Sequence, residues 1–290
     1  MECKDGALVT SLCYLKRDLN TRGAKLYRLI GLEPTPEIAV SNIEFSIQED
    51  ILVTDFRGFN HILSLEANAY KLYYWPANLS SVSSEGERNS YCNNIAERLR
   101  QEVGAETVFT YDRRSRKSPS DWESVSRLNG NLGEHAAGRP LDAVHLDQTP
   151  LGGPKRIRRH LTSEEADKYL SGDYRVRIIN VWRCFTQNPD KPLALCDPST
   201  VMASDLVAVD TVTPKRGGEM YYVRYNPKHR WFWASGMTTD EVLAFTTFDS
   251  KFSNQATNCC IHTAFPFPPS DIQTNLRESF EIRMIVFNAL

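Results

Sequence analysis

From residue 174 onward, apolar and polar positions alternate in short runs that are separated by turn residues. The runs fall at about 174–185, 205–212, 219–226, 230–235, 241–248, 258–265 and 279–288. Asn188-Pro189-Asp190, Asp197-Pro198, Lys215-Arg216-Gly217-Gly218 and Asn226-Pro227 supply turn chemistry between them. Many short strands with Gly/Pro turns predict a sandwich or barrel, not a parallel α/β sheet.

The earlier half carries a different period. Tyr91, Ile95, Leu99 and Val103 recur every fourth residue, and Gly104 stands where a left-handed cap would end a helix over about 84–103. Thr107 to Tyr111 is β-branched and aromatic, as a strand prefers. After Gly152-Gly153-Pro154 comes a short helix, which a Thr162/Glu165 capping box opens and Gly172 closes. Residues 1–60 read as an irregular extension with short strands at Asn42–Ile47 and Ile51–Thr54. Residues 113–140 form a long polar loop, a length often associated with lids.

The fold class expected is mainly β with flanking helices around a double-stranded β-helix, or jelly-roll, core. A single catalytic domain spans 1–290, with 1–104 as N-terminal extension and support helix and 105–290 as the core.

Composition narrows the partners. At 41% hydrophobic and 24% charged residues, the chain is an ordinary globular one. A formal net charge of -2 gives no pull toward a polyanion, so nucleic acid is not an expected partner. Seven cysteines contain no CxxC pair, and no leader pattern opens the chain, which points to reduced thiols in the cytoplasm. No apolar run reaches membrane-spanning length, so no membrane partner is expected. A small-molecule substrate remains, with the protein a monomer or homodimer.

Candidate chemistry begins at Ala143-Val144-His145-Leu146-Asp147, where a histidine and a carboxylate lie two apart at a strand end. Residues i and i+2 of a strand share a face, so both can reach one small cation. Six histidines yield about 0.7 such pairs by chance, so the pair alone means little. A second histidine, His262, lies on a late strand, and Arg277-Glu278-Ser279 opens the final one. His145, Asp147 and His262 would form the 2-His-1-carboxylate triad that holds Fe(II) and leaves positions open. Arg277 supplies a planar fork, and Ser279 a further donor, for the distal carboxylate of 2-oxoglutarate. A jelly roll brings early and late strands side by side, as this set requires.

Competing readings attach to the neighbours. Cys259 and Cys260 beside His262 invite zinc, yet adjacent strand residues face opposite ways, which makes them small wall residues instead. In Arg175 to Arg183, Val176, Ile178, Asn180 and Trp182 share one face, and Arg175, Arg177 and Arg183 the other. Asn180, Trp182 and Arg183 are candidates to contact substrate; an edge strand with a solvated arginine row is the alternative. The aromatic cluster of Tyr221, Tyr222, Tyr225, Trp231, Phe232 and Trp233 reads mostly as core.

Several blocks occur in order: His-x-Asp-Gln-Thr, Ile-Asn-Val-Trp-Arg, Pro-Leu-Ala-Leu-Cys-Asp, Tyr-Asn-Pro-x-His-Arg-Trp, Phe-Asp-Ser, His-Thr-Ala-Phe and Arg-Glu-Ser-x-Glu-x-Arg. From about residue 84 to the C-terminus, the chain resembles the fungal AsaB-type hydroxylase/desaturase family, related to gibberellin desaturases and cephem 7α-methoxylases. The resemblance implies an oxygenase of fungal secondary metabolism that uses Fe(II), 2-oxoglutarate and O2. Where the family carries proline after its Trp-Arg pair, this chain has Cys184. A metal-dependent jelly-roll isomerase, which would not need Arg277 and Ser279, and an iron oxidase that consumes no 2-oxoglutarate remain as alternatives.

Overall fold

The computed structural model describes residues 7–17, 23–36, 38–77, 84–118, 138, 140–252, 258–268 and 273–290. Fourteen strands follow in chain order: β1 (Leu8–Leu15), β2 (Leu26–Leu29), β3 (Phe45–Asp55), β4 (Tyr70–Tyr74), β5 (Thr107–Lys117), β6 (His145–Leu146), β7 (Tyr174–Cys184), β8 (Leu193–Cys196), β9 (Leu206–Thr213), β10 (Arg216–Val223), β11 (Trp231–Trp233), β12 (Glu241–Asp249), β13 (His262–Ala264) and β14 (Glu278–Ala289). Among the described residues these strands form two sheets. One has the order β1-β3-β11-β8-β13-β6-β10-β9-β2 and the other β4-β12-β7-β14-β5. This is the jelly roll that the alternating runs predict.

The N-terminal segment differs from the irregular extension expected. β1 and β3 pair antiparallel, and β11 pairs with β3, so Leu8–Leu15 and Phe45–Asp55 contribute wall to the larger sheet. β8 went unpredicted; its four residues are all buried, so no alternation marks it. The expected 113–140 loop begins as strand, since β5 runs to Lys117; residues 119–137 and 139 lie outside the described residues.

Helix α1 (Glu85–Glu102) begins at a complete Ser84/Glu87 capping box, and Gly104 follows it with φ 58°. Its Tyr91, Cys92, Ile95 and Leu99 pack on Ile179, Val181, Ile282 and Met284, the outward rows of β7 and β14. Each large apolar side chain buried there contributes about 1.5–3 kcal/mol. Two helices, not one, follow β6: α2 (Gly152–His160) and α3 (Ser163–Tyr169), the latter capped by Thr162 with Glu165. Gly152-Gly153 lies inside α2 because space forbids a side chain. A Cβ on Gly153 would stand 2.4 Å from the Phe248 ring, and one on Gly152 would stand 2.8 Å from the Glu219 carbonyl.

β7 sits at the centre of the smaller sheet, between β12 and β14. That position overturns the edge-strand alternative. Its arginine row is paired, not solvated: Arg175 forks onto Asp249 at 2.6–3.2 Å, and Arg177 Nη2 donates to the Asn288 side-chain oxygen at 2.8 Å. The inward rows of β5, β14 and β7 make three rungs. Asp112, Arg283 and Asn180 form one, Arg114, Glu281 and Trp182 the next, and Arg116, Ser279 and Cys184 the third.

Candidate metal centre

His145 and His262 meet across a single rung, because β6 and β13 pair antiparallel with these two residues directly opposite. Their ring centroids lie 4.2 Å apart. Val144 and Leu146, on the alternate parity, go into a separate apolar core. Asp147 follows immediately after β6, and its Oδ1 stands 3.7 Å from His145 Nε2. One ligand atom from each of His145, Asp147 and His262 lies within 4.8 Å of the others.

The donor set suits a cation. Each imidazole has Nδ1 beside a carbonyl two residues back: His145 at 2.8 Å from Ala143 O, and His262 at 3.1 Å from Cys260 O. With Nδ1–H donating to those carbonyls, the lone pair on each Nε2 is left for the cluster. Burial, reinforced by His262, pushes the His145 pKa well down, which keeps the ring in the neutral form a metal needs. Burial works against ionisation of Asp147. The Arg283 charge, the two imidazoles and the Asn180 amide outweigh it and hold the carboxyl well below the usual carboxylate range.

Asp147 is also held from its other side. Asn180 Nδ2 donates to Oδ2 at 2.8 Å, and Arg283 Nη2 is 3.6 Å from the same oxygen. Arg283 in turn donates from Nε to Glu281 Oε1 at 2.6 Å, and its Nη1 lies 3.9 Å from Asp112. Oδ2 is therefore engaged by protein, and Oδ1 is the oxygen turned toward His145.

Arg277 and Ser279 lie together at the start of β14. Arg277 Nε donates to Ser279 Oγ at 3.0 Å, and Nη1 donates to Lys191 O at 3.0 Å. The guanidinium lies over the Trp182 ring, 5.0 Å from its centroid. Among the described residues no carboxylate pairs with it, and burial lowers its pKa to about 10. A buried cation without a counter-ion is costly, and a bound carboxylate would relieve that cost.

The candidates from sequence thus divide. His145, Asp147 and His262 come together; Asn180 joins them through Asp147; Trp182 lies under Arg277. Arg183 goes elsewhere. It is fully buried on the outward face, donating to Tyr91 Oη at 2.6 Å and to Trp75 O at 2.6 Å, with a third bond to Thr239 O. Cys259 and Cys260 are both fully buried, and burial raises their thiol pKa values far above the ordinary value. Sequence reasoning missed Glu281 and Arg283. The signal was present, since period two carries 277, 279, 281 and 283 along one face.

A family model described as oxidoreductase/YMDC permease-like domain matches residues 12–287. The chain belongs to this family. The match reaches upstream of residue 84, where the sequence resemblance began. The hydroxylase/desaturase efuI of Hormonema carpetanum is 28% identical over 254 residues, covering 82% of this chain and 83% of that protein. The hydroxylase/desaturase asaB of Aspergillus flavus is 31% identical over 144 residues, covering 45% of this chain and 63% of its own. These relatives bear out the AsaB-type resemblance. A variant of the iron and alpha-ketoglutarate-dependent endoperoxidase NvfI shares the fold with a TM-score of 0.84 at 21% identity, over 100% of both chains. No helix among the described residues is long and apolar enough to cross a membrane.

Proposed function

We propose that this chain is an Fe(II)/2-oxoglutarate-dependent oxygenase that hydroxylates, desaturates or oxidatively cyclises a small molecule in fungal secondary metabolism. One observation carries the reading: a His-Asp-His cluster with both histidines buried shares its barrel with a buried arginine that no carboxylate pairs with among the described residues. An isomerase that consumes no 2-oxoglutarate would not need that arginine. The relatives' names, hydroxylase/desaturase among them, support the same chemistry.

In this reading His145, Asp147 and His262 hold the iron, and Arg277 with Ser279 receives the distal carboxylate of 2-oxoglutarate. Bound iron, with 2-oxoglutarate and O2, supplies the oxidising power to remove hydrogen from an unactivated C–H bond, with release of succinate and CO2. The protein's part is positioning. Asn180 and Arg283 restrain Asp147 so that one oxygen faces the metal. The Ser279 hydroxyl accepts from Arg277 Nε and keeps its own proton to donate. Leu195, Phe245 and Cys260 are fully buried members of one apolar cluster with Trp182; they wall the barrel interior and exclude water.

The whole chain acts as one catalytic domain, monomeric or homodimeric and cytoplasmic. Free thiols at Cys13, Cys92, Cys184, Cys196, Cys259 and Cys260 support the reducing compartment.

Anaerobic addition of Fe(II) and 2-oxoglutarate tests the assignment. A visible metal-to-ligand charge-transfer band is expected, absent in His145→Ala and weakened in Arg277→Ala. No band in the parent protein overturns the reading.

A further inference from the structure

A cavity of about 1200 Å³ opens beside Asp147, between the β2, β9 and β10 end of the larger sheet and the β5 and β14 end of the smaller. That volume holds a substrate well beyond the size of 2-oxoglutarate. Arg28 and Arg156 both lie on its lining, one on β2 and one on α2. Both are half-buried, and among the described residues neither ion-pairs with a carboxylate.

Among the described residues the lining offers them no internal counter-ion. Its acidic residues are Asp147, engaged by Asn180 and Arg283, and Glu219, engaged by Lys25 and Thr149. Arg28 spends Nη1 on the Tyr222 hydroxyl at 3.1 Å, while its Nε is buried with no partner among the described residues. Arg156 lies 5.8 Å over the Tyr111 ring. The Tyr111 hydroxyl and His160 Nε2, on rings 5.0 Å apart, are likewise buried without partners among the described residues. A β-bulge accounts for Tyr111: Asp112 pairs with Arg283 and Thr110 with Met284, so Tyr111 is the extra residue.

Resting on the oxygenase reading above, we propose that the substrate carries an anionic group of the carboxylate class, held by Arg28 and Arg156. A guanidinium fork matches a carboxylate geometrically, and its charge is worth more in a recess than on open surface. In a chain of net charge -2, two guanidinium groups on one recess with no ion-pair partner among the described residues are a local feature, not a general one. The distal carboxylate of 2-oxoglutarate has a separate place at Arg277, so the cosubstrate leaves these two arginines to the substrate.

Two dyes that differ by one sulfonate test this. 8-Anilinonaphthalene-1-sulfonate and N-phenyl-1-naphthylamine are titrated by fluorescence into the full chain loaded anaerobically with Fe(II) and 2-oxoglutarate. The anionic dye is expected to bind at least tenfold tighter. Arg28→Gln and Arg156→Gln should each weaken it about tenfold, Arg28→Lys should restore part of the loss, and the neutral dye should not change. The charge-transfer band should persist in all three variants. Equal binding of the dyes, no binding of the anionic dye, or an anionic dye indifferent to both glutamine variants overturns the proposal. A parent protein with no band but clear dye discrimination overturns the oxygenase reading and leaves an anion site.

Discussion

Asn180 on β7 donates through its side-chain amide to Oδ2 of Asp147, at 2.8 Å, across the space between the two sheets. The bond ties a proposed metal ligand to the opposite wall of the barrel. Partners of this kind typically change metal affinity 10–100-fold when removed. Asn180→Ala is therefore expected to weaken Co(II) or Fe(II) binding by about that factor, read by titration without cosubstrate. Unchanged affinity would show that Asp147 holds its orientation without the amide.

Arg277 should act on the cosubstrate and not on the metal. Arg277→Ala is expected to raise the KM for 2-oxoglutarate at least tenfold while Fe(II) affinity stays within about twofold. Arg277→Lys should recover little, because a point charge lacks the fork. Equal losses in metal and cosubstrate binding would point instead to collapse of the barrel end around Trp182.

Arg183 belongs to the scaffold. Its guanidinium closes three bonds between β7, α1 and the loops that end at Trp75 and Thr239. Arg183→Met is expected to cost about 3 kcal/mol, a fall in Tm of about 6 °C by thermal unfolding. The KM for 2-oxoglutarate in the folded fraction should not move. A KM change with unaltered Tm would return Arg183 to the binding machinery.

Acid should weaken the fold through His229. Burial pushes its pKa below the ordinary 6.5, only partly offset by Asp205, whose Oδ2 lies 3.1 Å from Nε2. The folded chain then takes up fewer protons at this site than the unfolded chain, so stability rises with pH and falls as pH drops below about 6.5. Denaturant midpoints at pH 7.5 and 5.5 are expected to show that loss, and a smaller one in His229→Gln. A larger loss in the variant would reverse the sign.

Gly153 offers a packing test. Gly153→Ala places a methyl group 2.4 Å from Phe248 and is expected to destabilise the fold by about 1–3 kcal/mol. Adding Phe248→Leu should return part of it, as measured by urea unfolding. No recovery would place the cost elsewhere in α2.

What was legible follows from strand parity. His145 with Asp147, and Arg277 with Ser279, stood out because i and i+2 share a face. The same rule extends to Glu281 and Arg283, and it already separates Arg183 from Asn180 and Trp182, although the three sit in one block. β3 was split in two because Gln48-Glu49-Asp50 interrupts its apolar run, with Asp50 at φ 58°. β8 was hidden by having no polar face. Gly152-Gly153 read as a break because local propensity carries no knowledge of Phe248, a residue far off in sequence. The ion pairs that hold the β7 arginines likewise depend on partners that only the assembled sheet brings near.

The rung shared by His145 and His262 has a kinetic consequence. Strand pairing, not the ion, sets the two imidazoles side by side, and backbone carbonyls fix their ring orientation. A socket built in advance needs no chain rearrangement to take up or surrender its metal. Chelator-stripped protein should regain its metal by simple addition, at a rate governed by passage through the cavity and not by refolding.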